Sequence, residues 1–357
     1  MSATSLPQNP RGSRRAVWVL FAAIVLSAFA LRWNLEAVSS WTEFRAAVER
    51  LFGYLSSFAA PDLSAAMLQR CFDLALETLA VALLGVAVGL VFAYPVALGA
   101  SRCVVLGEDP ARGFRRWLLR GVLEGNRLLL DAMRGVPDFA WAIVLANITG
   151  VNAVTGVLAI AISVGGILGK VLSEQWDNVD PARYAALRST GAGRLAVFFY
   201  GVQPLAARSM LSFVLMRTEC AVRNASVIGV VGGGGIGAAL WDEYTDGYWP
   251  GVATVLLTLL AVTATADLLA NLLRHRLRVD PNHPRAPGAL DRQTSARSRW
   301  QVLGAVFAVL AASVYCLREP LQHVASDLAR IEWRFVRPYT LGLFTPDLHW
   351  DTLAAAA

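Results

Sequence analysis

Long apolar runs separated by short charged segments constrain the fold of this chain more than any other feature of its sequence. A helix needs about 20 apolar residues to cross a hydrocarbon core roughly 30 Å thick. Runs of suitable length occur at 16–31, 74–100, 121–147, 154–172, 206–230, 250–273 and 300–316. Charged residues make up 16% of the chain, whereas about 25% is usual in a soluble domain. The sequence therefore predicts an all-α, polytopic bundle of about seven transmembrane helices.

The distribution of basic residues predicts how these helices are oriented, because lysine and arginine remain preferentially on the cytoplasmic side. Basic residues are concentrated before the first predicted span and after the second, fourth and sixth spans, at 11–15, 102–127, 170–208 and 274–299. The segment 238–250 on the other side contains Asp242, Glu243 and Asp246 and no basic residue. We therefore expect a multi-pass protein of the cytoplasmic (inner) membrane with its N-terminus inside.

Cysteine and histidine are too scattered in the sequence to indicate a metal or catalytic centre. No two cysteines have CxxC spacing, and no histidine lies in a long apolar run; these residues are Cys71, Cys103, Cys220, Cys316, His275, His283, His323 and His349. The net charge of +6 lies in segments between the apolar runs, where it sets orientation. The sequence contains no nucleotide-hydrolysis motif. It thus predicts a chain that is not an enzyme, holds no cofactor or metal of its own and binds no nucleic acid.

The composition divides the chain into four segments. Residues 1–73 contain the first predicted span and an outer segment, 74–273 contain the central spans, and 274–299 form a basic, proline-rich cytoplasmic linker. Residues 300–357 begin with an extra span that ends at Leu317-Arg318 and is followed by Pro346-Asp347-Leu348. This order repeats Leu31-Arg32 followed by Pro61-Asp62-Leu63. The last segment resembles the start of a second unit, and chance similarity in a biased composition is the alternative.

Residues 180–204, termed here the coupling segment, are too polar and basic for a span and are predicted to form two short helices. Asp180 and Pro181 can begin the first helix, and Gly191 supplies the turn. The second helix has an apolar face and is predicted to end at Pro204. An exposed hairpin of this kind suits docking against another protein, and a helix lying on the membrane surface is the alternative.

Several separated motifs resemble those of ABC importer permeases. Ala185-Ala186-Leu187, followed by Gly191 and Pro204, is similar to the EAA coupling loop of that family. The sequence resembles the phosphonate-type permeases more closely still, at Glu77-Thr78-Leu79, 134–142, 166–170, 186–192 and the glycines at 232–237. The resemblance covers residues 74–273. Ala185 stands where the family pattern has glutamate, and Gly201 and Gln203 replace an isoleucine and a leucine.

The resemblance implies a permease subunit that moves phosphonate across the cytoplasmic membrane by alternating access, with phosphite or phosphate as related cargo. It also implies three partners, namely cytoplasmic ABC ATPase subunits that bind ATP and Mg, an external phosphonate-binding protein and a second permease copy, as a homodimer or a paired permease. The coupling loop would transmit ATP-driven motion, and the missing carboxylate at Ala185 bears on the strength of that contact. The alternatives are another small solute as cargo and a membrane scaffold subunit that does not transport.

Charged side chains inside the predicted span 206–230 mark a candidate translocation path, since each charge costs about 2.5–3.5 kcal/mol at mid-membrane. Arg217 lies about 17 Å into this span at 1.5 Å per residue and shares a helix face with Asn224. Glu219 and Arg223 are predicted to pair as i,i+4 neighbours. This pattern fits a polar lining for an anionic oxyacid, and it fits equally a structural ion-pair network between helices.

Other charged side chains lie in or near the predicted spans 121–147 and 74–100. Arg134 and Asp138 form an i,i+4 candidate pair around a kink at Pro137. Glu77 lies near the outer end of its span, from which its side chain can snorkel. We therefore add Arg134 and Asp138 to the candidate path.

A run of glycines, Gly232, Gly233, Gly234, Gly235 and Gly237, follows the span at 206–230. It fits the dinucleotide pattern G-x-G-x-x-G, but it follows an apolar span and precedes acidic residues, whereas a nucleotide-binding turn follows a strand. Backbone without side chains allows close helix approach and a bend near the outer mouth. The resemblance places these glycines beside the outer gate.

Overall fold

The computed structural model describes residues 41–58, 60–107, 113–276 and 296–328. Most of these residues are helical, and none of them is in a strand. The helices are α1 (Trp41–Phe58), α2 (Ala65–Ala100), α3 (Arg102–Val105), α4 (Phe114–Gly135), α5 (Asp138–Thr149), α6 (Ala153–Asp177), α7 (Ala185–Ser189), α8 (Arg194–Val197), α9 (Gln203–Ile228), α10 (Gly235–Thr245), α11 (Trp249–Arg276), α12 (Ala296–Cys316) and α13 (Arg318–Leu328). The chain divides into two compact units at residue 60, and α1 is the only described helix of the first unit.

Three of the described helices, α2, α6 and α11, are long and apolar enough to cross a membrane. A fourth crossing is possible if Arg194–Gly233 and Gly235–Thr245, which meet at an angle of 57°, form one bent span. These four elements coincide with the predicted spans 74–100, 154–172, 250–273 and 206–230. The predicted span 300–316 lies in α12, whose apolar part Gly304–Cys316 is shorter. The predicted span 16–31 lies outside the described residues.

The prediction of one continuous span at 121–147 is wrong. The chain forms two helices here, α4 and α5, which are separated by Val136 and Pro137. The backbone of both residues is extended, with ψ of 130° and 148°, because a proline disfavours helical geometry at the preceding residue and cannot donate to the preceding turn. Helix α4 is amphipathic and buries Leu123 and Leu130 against the bundle.

The centre of the second unit is the packing of α2 against α6, which depends on small residues. A Cβ on Gly89 would lie 2.8 Å from the Ala161 carbonyl oxygen, and a Cβ on Gly85 would lie 2.7 Å from the Ile160 side chain. Gly165 faces the Gly89 backbone in the same way. The two helices can approach this closely only because the side chains are missing, as is common between membrane helices.

The two last described helices pack on this central unit. Helix α12 contacts α2, and α13 contacts α5 and α6. Leu317, at the junction of α12 and α13, is completely buried, and Ser313 is 5% exposed. The start of the predicted segment 300–357 is therefore an integral part of the bundle formed by the central helices.

Candidate translocation path and coupling surface

A polar cluster around Asp138 joins three helices inside the bundle. Asp138 is the first residue of α5, where Pro137 directs the chain into a new helix. The Ser163 hydroxyl on α6 donates a hydrogen bond to one oxygen of the Asp138 carboxylate, and the Asn224 amide on α9 donates to the other. Ser163 is 2% exposed. The cluster satisfies a carboxylate that would otherwise be costly to bury, and it brings together the predicted Asp138 and Asn224.

The predicted pair between Arg134 and Asp138 is wrong. The Arg134 guanidinium binds Asp131 at 2.8 Å, one turn earlier on α4, and the other oxygen of Asp131 accepts from Lys170 at 3.3 Å. The break at Pro137 interrupts the helix between Arg134 and Asp138, so the i,i+4 geometry of a continuous helix is lost. Arg134 thus belongs to a network with α6 and not to the Asp138 cluster.

The predicted pair between Glu219 and Arg223 is also wrong. Glu219 accepts from the Arg274 guanidinium on α11 at 3.2 Å, and both side chains are about one-fifth exposed, at 20% and 23%. Arg223 is exposed on α9. Sequence spacing allows both arrangements, but the neighbouring helix α11 offers Glu219 a partner that fastens the two helices together.

Arg217 is half-buried on α9, and its Nε atom is buried without a hydrogen-bond partner among the described residues. A guanidinium has five donors and no acceptor. A buried donor without a partner costs about 1–3 kcal/mol. Among the described residues, Arg217 is therefore the one side chain with a buried donor that lacks a partner.

The coupling segment begins as predicted and forms a hairpin. The Asp180 carboxylate accepts the Ala182 N–H at 3.0 Å and caps a short 3₁₀ helix, Pro181–Tyr184, which leads into α7. Gly191 has a φ of +77°, a left-handed conformation that favours glycine and makes the turn toward α8. Ala185 and Ala186 on α7 are exposed, whereas Leu187 is half-buried.

The predicted end of the second short helix at Pro204 is wrong. A wide π turn, Phe198–Val202, connects α8 to α9, and Pro204 is the second residue of α9, directly after this widened turn. The second helix of the hairpin therefore continues directly into the long helix α9.

The two other departures from the family pattern have packing roles. A Cβ on Gly201 would lie 3.1 Å from Tyr184 and 3.3 Å from Leu187, so this glycine lets the first short helix rest on the second. Gln203 accepts a hydrogen bond from the Tyr94 hydroxyl on α2 at 2.9 Å. Gly201 thus holds the two parts of the coupling segment together, and Gln203 fastens the segment to the bundle, by contacts that the spacing of the motif did not reveal.

A cavity of about 1020 Å³ lies between the coupling segment, α3, Arg127 of α4 and the end of α6. Its charged lining consists of Arg102, Arg127, Lys170, Glu174, Asp177, Arg188 and Arg194. Asp177 is the centre of its wall, since it accepts from the Ser101 hydroxyl at 2.8 Å, the Cys103 N–H at 3.0 Å and the Arg127 guanidinium at 3.2 Å. The sequence did not predict this role of Asp177, which connects the end of α6 to the start of α3 and to α4 next to the coupling segment.

The glycine run forms the bend between α9 and α10. Gly232, Gly234 and Gly235 have φ of +105°, +72° and +70°, which other residues rarely adopt. Gly237 has no room for a side chain because a Cβ there would collide with the Ser226 carbonyl oxygen. The predicted bend is therefore confirmed.

The bend rests on two side chains of α2. The Thr78 hydroxyl accepts the Ile236 N–H at 2.9 Å, and the Glu77 carboxylate accepts a backbone hydrogen bond from Gly235. A Cβ on Gly234 would lie 2.5 Å from a Glu77 carboxylate oxygen. The prediction that Glu77 snorkels away is thus replaced by a local role, because its carboxylate and the Thr78 hydroxyl cap the first N–H groups of α10.

Comparison with protein families and characterised sequences gives a consistent result. The family described as binding-protein-dependent transport system inner membrane component matches residues 114–279. HtxC of Stutzerimonas stutzeri, provisionally named a phosphite transport system permease protein, is 31% identical over 263 residues, which are 74% of this chain and 88% of HtxC. The phosphite transport system permease protein PtxC of the same organism is 32% identical over 203 residues, or 57% of this chain and 70% of PtxC.

One further sequence relative and one solved structure are also similar to this chain. The phosphate-import permease protein PhnE of Mycolicibacterium smegmatis is 31% identical over 209 residues, which are 58% of this chain but 37% of PhnE. The methionine ABC transporter MetNI, solved in inward-facing conformations, contains a chain that matches 61% of this chain over its whole length, with a TM-score of 0.51 and 16% identity. At this identity, the structural likeness concerns the fold alone.

Proposed function

Since the chain belongs to the family of binding-protein-dependent transport system inner membrane components, we propose that its cargo is a phosphorus oxyanion, with phosphonate, phosphite and phosphate as the candidates. The observation that carries this proposal is the 31% identity to the phosphite-type relative HtxC over 74% of the chain. The chain is an ABC importer permease, and transport by alternating access follows from that membership.

The geometry supports an anionic cargo at Arg217. Its guanidinium has a buried donor without a partner among the described residues, and Asn224 on the same helix is held by Asp138. Arg217 therefore contacts the oxyanion, while the Asp138 cluster keeps α5, α6 and α9 in register around the path. Arg223, exposed on α9, and Arg134, which is engaged by Asp131, act at the edges of this path.

The energy and the delivery of cargo come from partner subunits. A cytoplasmic ABC ATPase, which holds ATP and Mg, docks on the exposed face of α7 at Ala185 and Ala186, and the turn at Gly191 keeps that face presented. An external binding protein delivers the oxyanion on the opposite side, where the gate glycines lie. The permease itself performs no hydrolysis.

The arrangement in the membrane completes the proposal. The N-terminus lies in the cytoplasm of a multi-pass inner-membrane protein, and residues 274–299 link the permease domain 74–273 to an extra span. Residues 300–357 form the start of a second permease unit, and 1–73 hold the N-terminal anchor span. One such bundle lines half of a two-fold path, so a second permease copy, identical or paired, supplies the other half.

Growth on a single phosphorus source tests the cargo. A bacterial strain without its own phosphorus importers should grow on methylphosphonate, phosphite or phosphate only when it expresses this chain together with its ATPase and binding protein. The Arg217→Gln variant should lower growth at limiting cargo while its amount in the membrane is unchanged. An assembled complex that supports growth on none of the three would favour the scaffold alternative.

A further inference from the structure

Helix α10 is attached at both of its ends to the outer part of α2. Near its start, Ile236 contacts Thr78, and near its end Glu243 contacts Arg70. The chain numbers fall along α2 as they rise along α10, so the two helices run antiparallel. Arg70 and Thr78 are eight residues apart and Ile236 and Glu243 are seven apart, which corresponds to about two helical turns in each case.

We call each of these two contacts a clasp. The first clasp, between Thr78 and Ile236, is buried. Thr78 is 2% exposed and Ile236 is 1% exposed, so the hydrogen bond between them cannot be replaced by water without opening the contact. Glu77 adds a charged acceptor at the same helix start. A Cβ on Gly235 would collide with the Thr78 hydroxyl, which shows how closely the two backbones approach.

The second clasp is an ion pair at the other end of α10. The Arg70 guanidinium binds Glu243 at 2.6 Å and reaches Asp242 at 3.4 Å. Glu243 is 8% exposed and is confined by α11, since a Cβ on Gly251 would lie 2.5 Å from its carboxylate. The Arg70 side chain is 47% exposed, so one partner of the short charge pair faces solvent while Glu243 is held in place by its surroundings.

Among the described residues, the connection between α10 and α9 has no side-chain hydrogen bond or ion pair of this kind, although Gly237 packs closely against the Ser226 carbonyl oxygen of α9. It consists of the π turn Gly229–Gly233 and Gly234, with non-helical backbone at Val231 and Gly232. Glycine provides the least resistance to a change in backbone angles. Side-chain contacts therefore attach α10 to α2, whereas a glycine-rich turn connects α10 to α9.

We propose that Arg70, Glu77 and Thr78 are positioning residues that make α10 and the outer part of α2 one rigid unit during transport. The backbone angles of the bend at Gly229–Gly234 change during transport, while α10 stays fixed on α2. The proposal rests on the proposed function, because it assigns these residues to the outer gate of the permease. Breaking a clasp then lets α10 move independently, so that ATP is hydrolysed without a matching import of oxyanion.

Hydrogen exchange tests the first clasp without any cargo. In the assembled complex, Thr78→Val, which keeps the shape but removes the acceptor, should accelerate amide exchange in the peptide 235–241 at least tenfold. Thr78→Ser keeps the hydroxyl and should exchange at the wild-type rate. Equal exchange in all three proteins would overturn the clasp. A failure of wild-type uptake would instead count against the proposed function, since this measurement needs no transport.

Coupling and cross-linking test the rigid unit. Thr78→Val should raise the ATP consumed per oxyanion imported at least threefold, and Thr78→Ser should not; a parallel loss of hydrolysis and uptake would indicate a merely structural residue. In a background without native cysteines, Arg70→Cys and Glu243→Cys are joined by a short reducible bifunctional thiosulfonate. The linked complex should import at least as much oxyanion per ATP as the same complex after reduction, because the link replaces the ion pair that the two substitutions remove. Uptake that is abolished by the link and restored by reduction would show that α2 and α10 separate, and would overturn the proposal.

Discussion

The ion pair between Glu219 and Arg274 provides a quantitative test of how α9 and α11 are joined. The two groups lie 3.2 Å apart with side chains 20% and 23% exposed, between an exposed pair, worth about 0–1 kcal/mol, and a buried pair, whose disruption costs about 3–5 kcal/mol. We therefore expect Glu219→Gln to lower the free energy of unfolding by about 1–2 kcal/mol. The expected loss arises mainly from the Arg274 charge that is left without a partner.

A double-mutant cycle separates this contact from the neighbour that sequence spacing suggests. Unfolding of the purified protein in mixed micelles by increasing SDS gives the free energy for Glu219→Gln, Arg274→Gln and the double variant, and the coupling should be about 1 kcal/mol. The matched cycle with Arg223→Gln should give a coupling near zero. A coupling with Arg223 that equals or exceeds the coupling with Arg274 would refute the arrangement of α9 and α11 described here.

Four further predictions concern the polar cluster, the path, the coupling turn and the Asp62 carboxylate. Ser163→Ala should lower the free energy of unfolding by about 1–3 kcal/mol, measured in the same SDS titration, because one oxygen of a partly buried carboxylate loses its donor. Arg217→Gln should reduce oxyanion uptake severalfold in vesicles while its level on a membrane blot is unchanged; an equal loss of both would make it a structural charge. Gly191→Val should leave the protein in the membrane but separate ATP hydrolysis from uptake, because valine resists a φ of +77°; normal uptake would contradict the coupling assignment. The Ser64 N–H and hydroxyl and the Tyr248 hydroxyl hold the pKa of Asp62 below its ordinary value, so its contribution is present above the unfolded pKa and is lost as pH falls through the folded pKa. When the pH is lowered below about 4, the melting temperature of Asp62→Asn should therefore fall less than that of the wild type.

Local features of this chain could be predicted because they depend on neighbours in sequence. The apolar runs identify α2, α6 and α11, and the glycine-only stretch 232–235 identifies the bend, since only glycine tolerates its backbone angles. The turn at Gly191 follows from the same reasoning. In each case, the cause of the structure lies within one helical turn of the residue concerned.

The polar contacts could not be predicted, because they join residues far apart in the chain. Asp138 is held by Ser163 and Asn224, which are 25 and 86 residues away, whereas periodicity suggested only its neighbour Arg134. Thr78 caps a helix start 158 residues away. Helical spacing defines which residues share a face, but it does not specify which face of another helix lies opposite. Small residues such as Gly89 and Gly165 determine that choice by allowing close approach.

The most direct measurement of the central claim is ATP-driven accumulation of a labelled phosphorus oxyanion. The purified complex of this chain with its ATPase is reconstituted into proteoliposomes, with the binding protein and ³³P-labelled phosphite or phosphate, or ¹⁴C-labelled methylphosphonate, outside and ATP inside. We expect accumulation that requires both ATP and the binding protein and that disappears with a hydrolysis-deficient ATPase. Assembly and ATP hydrolysis without accumulation of any of the three oxyanions would contradict the assignment of this permease to phosphorus oxyanion import.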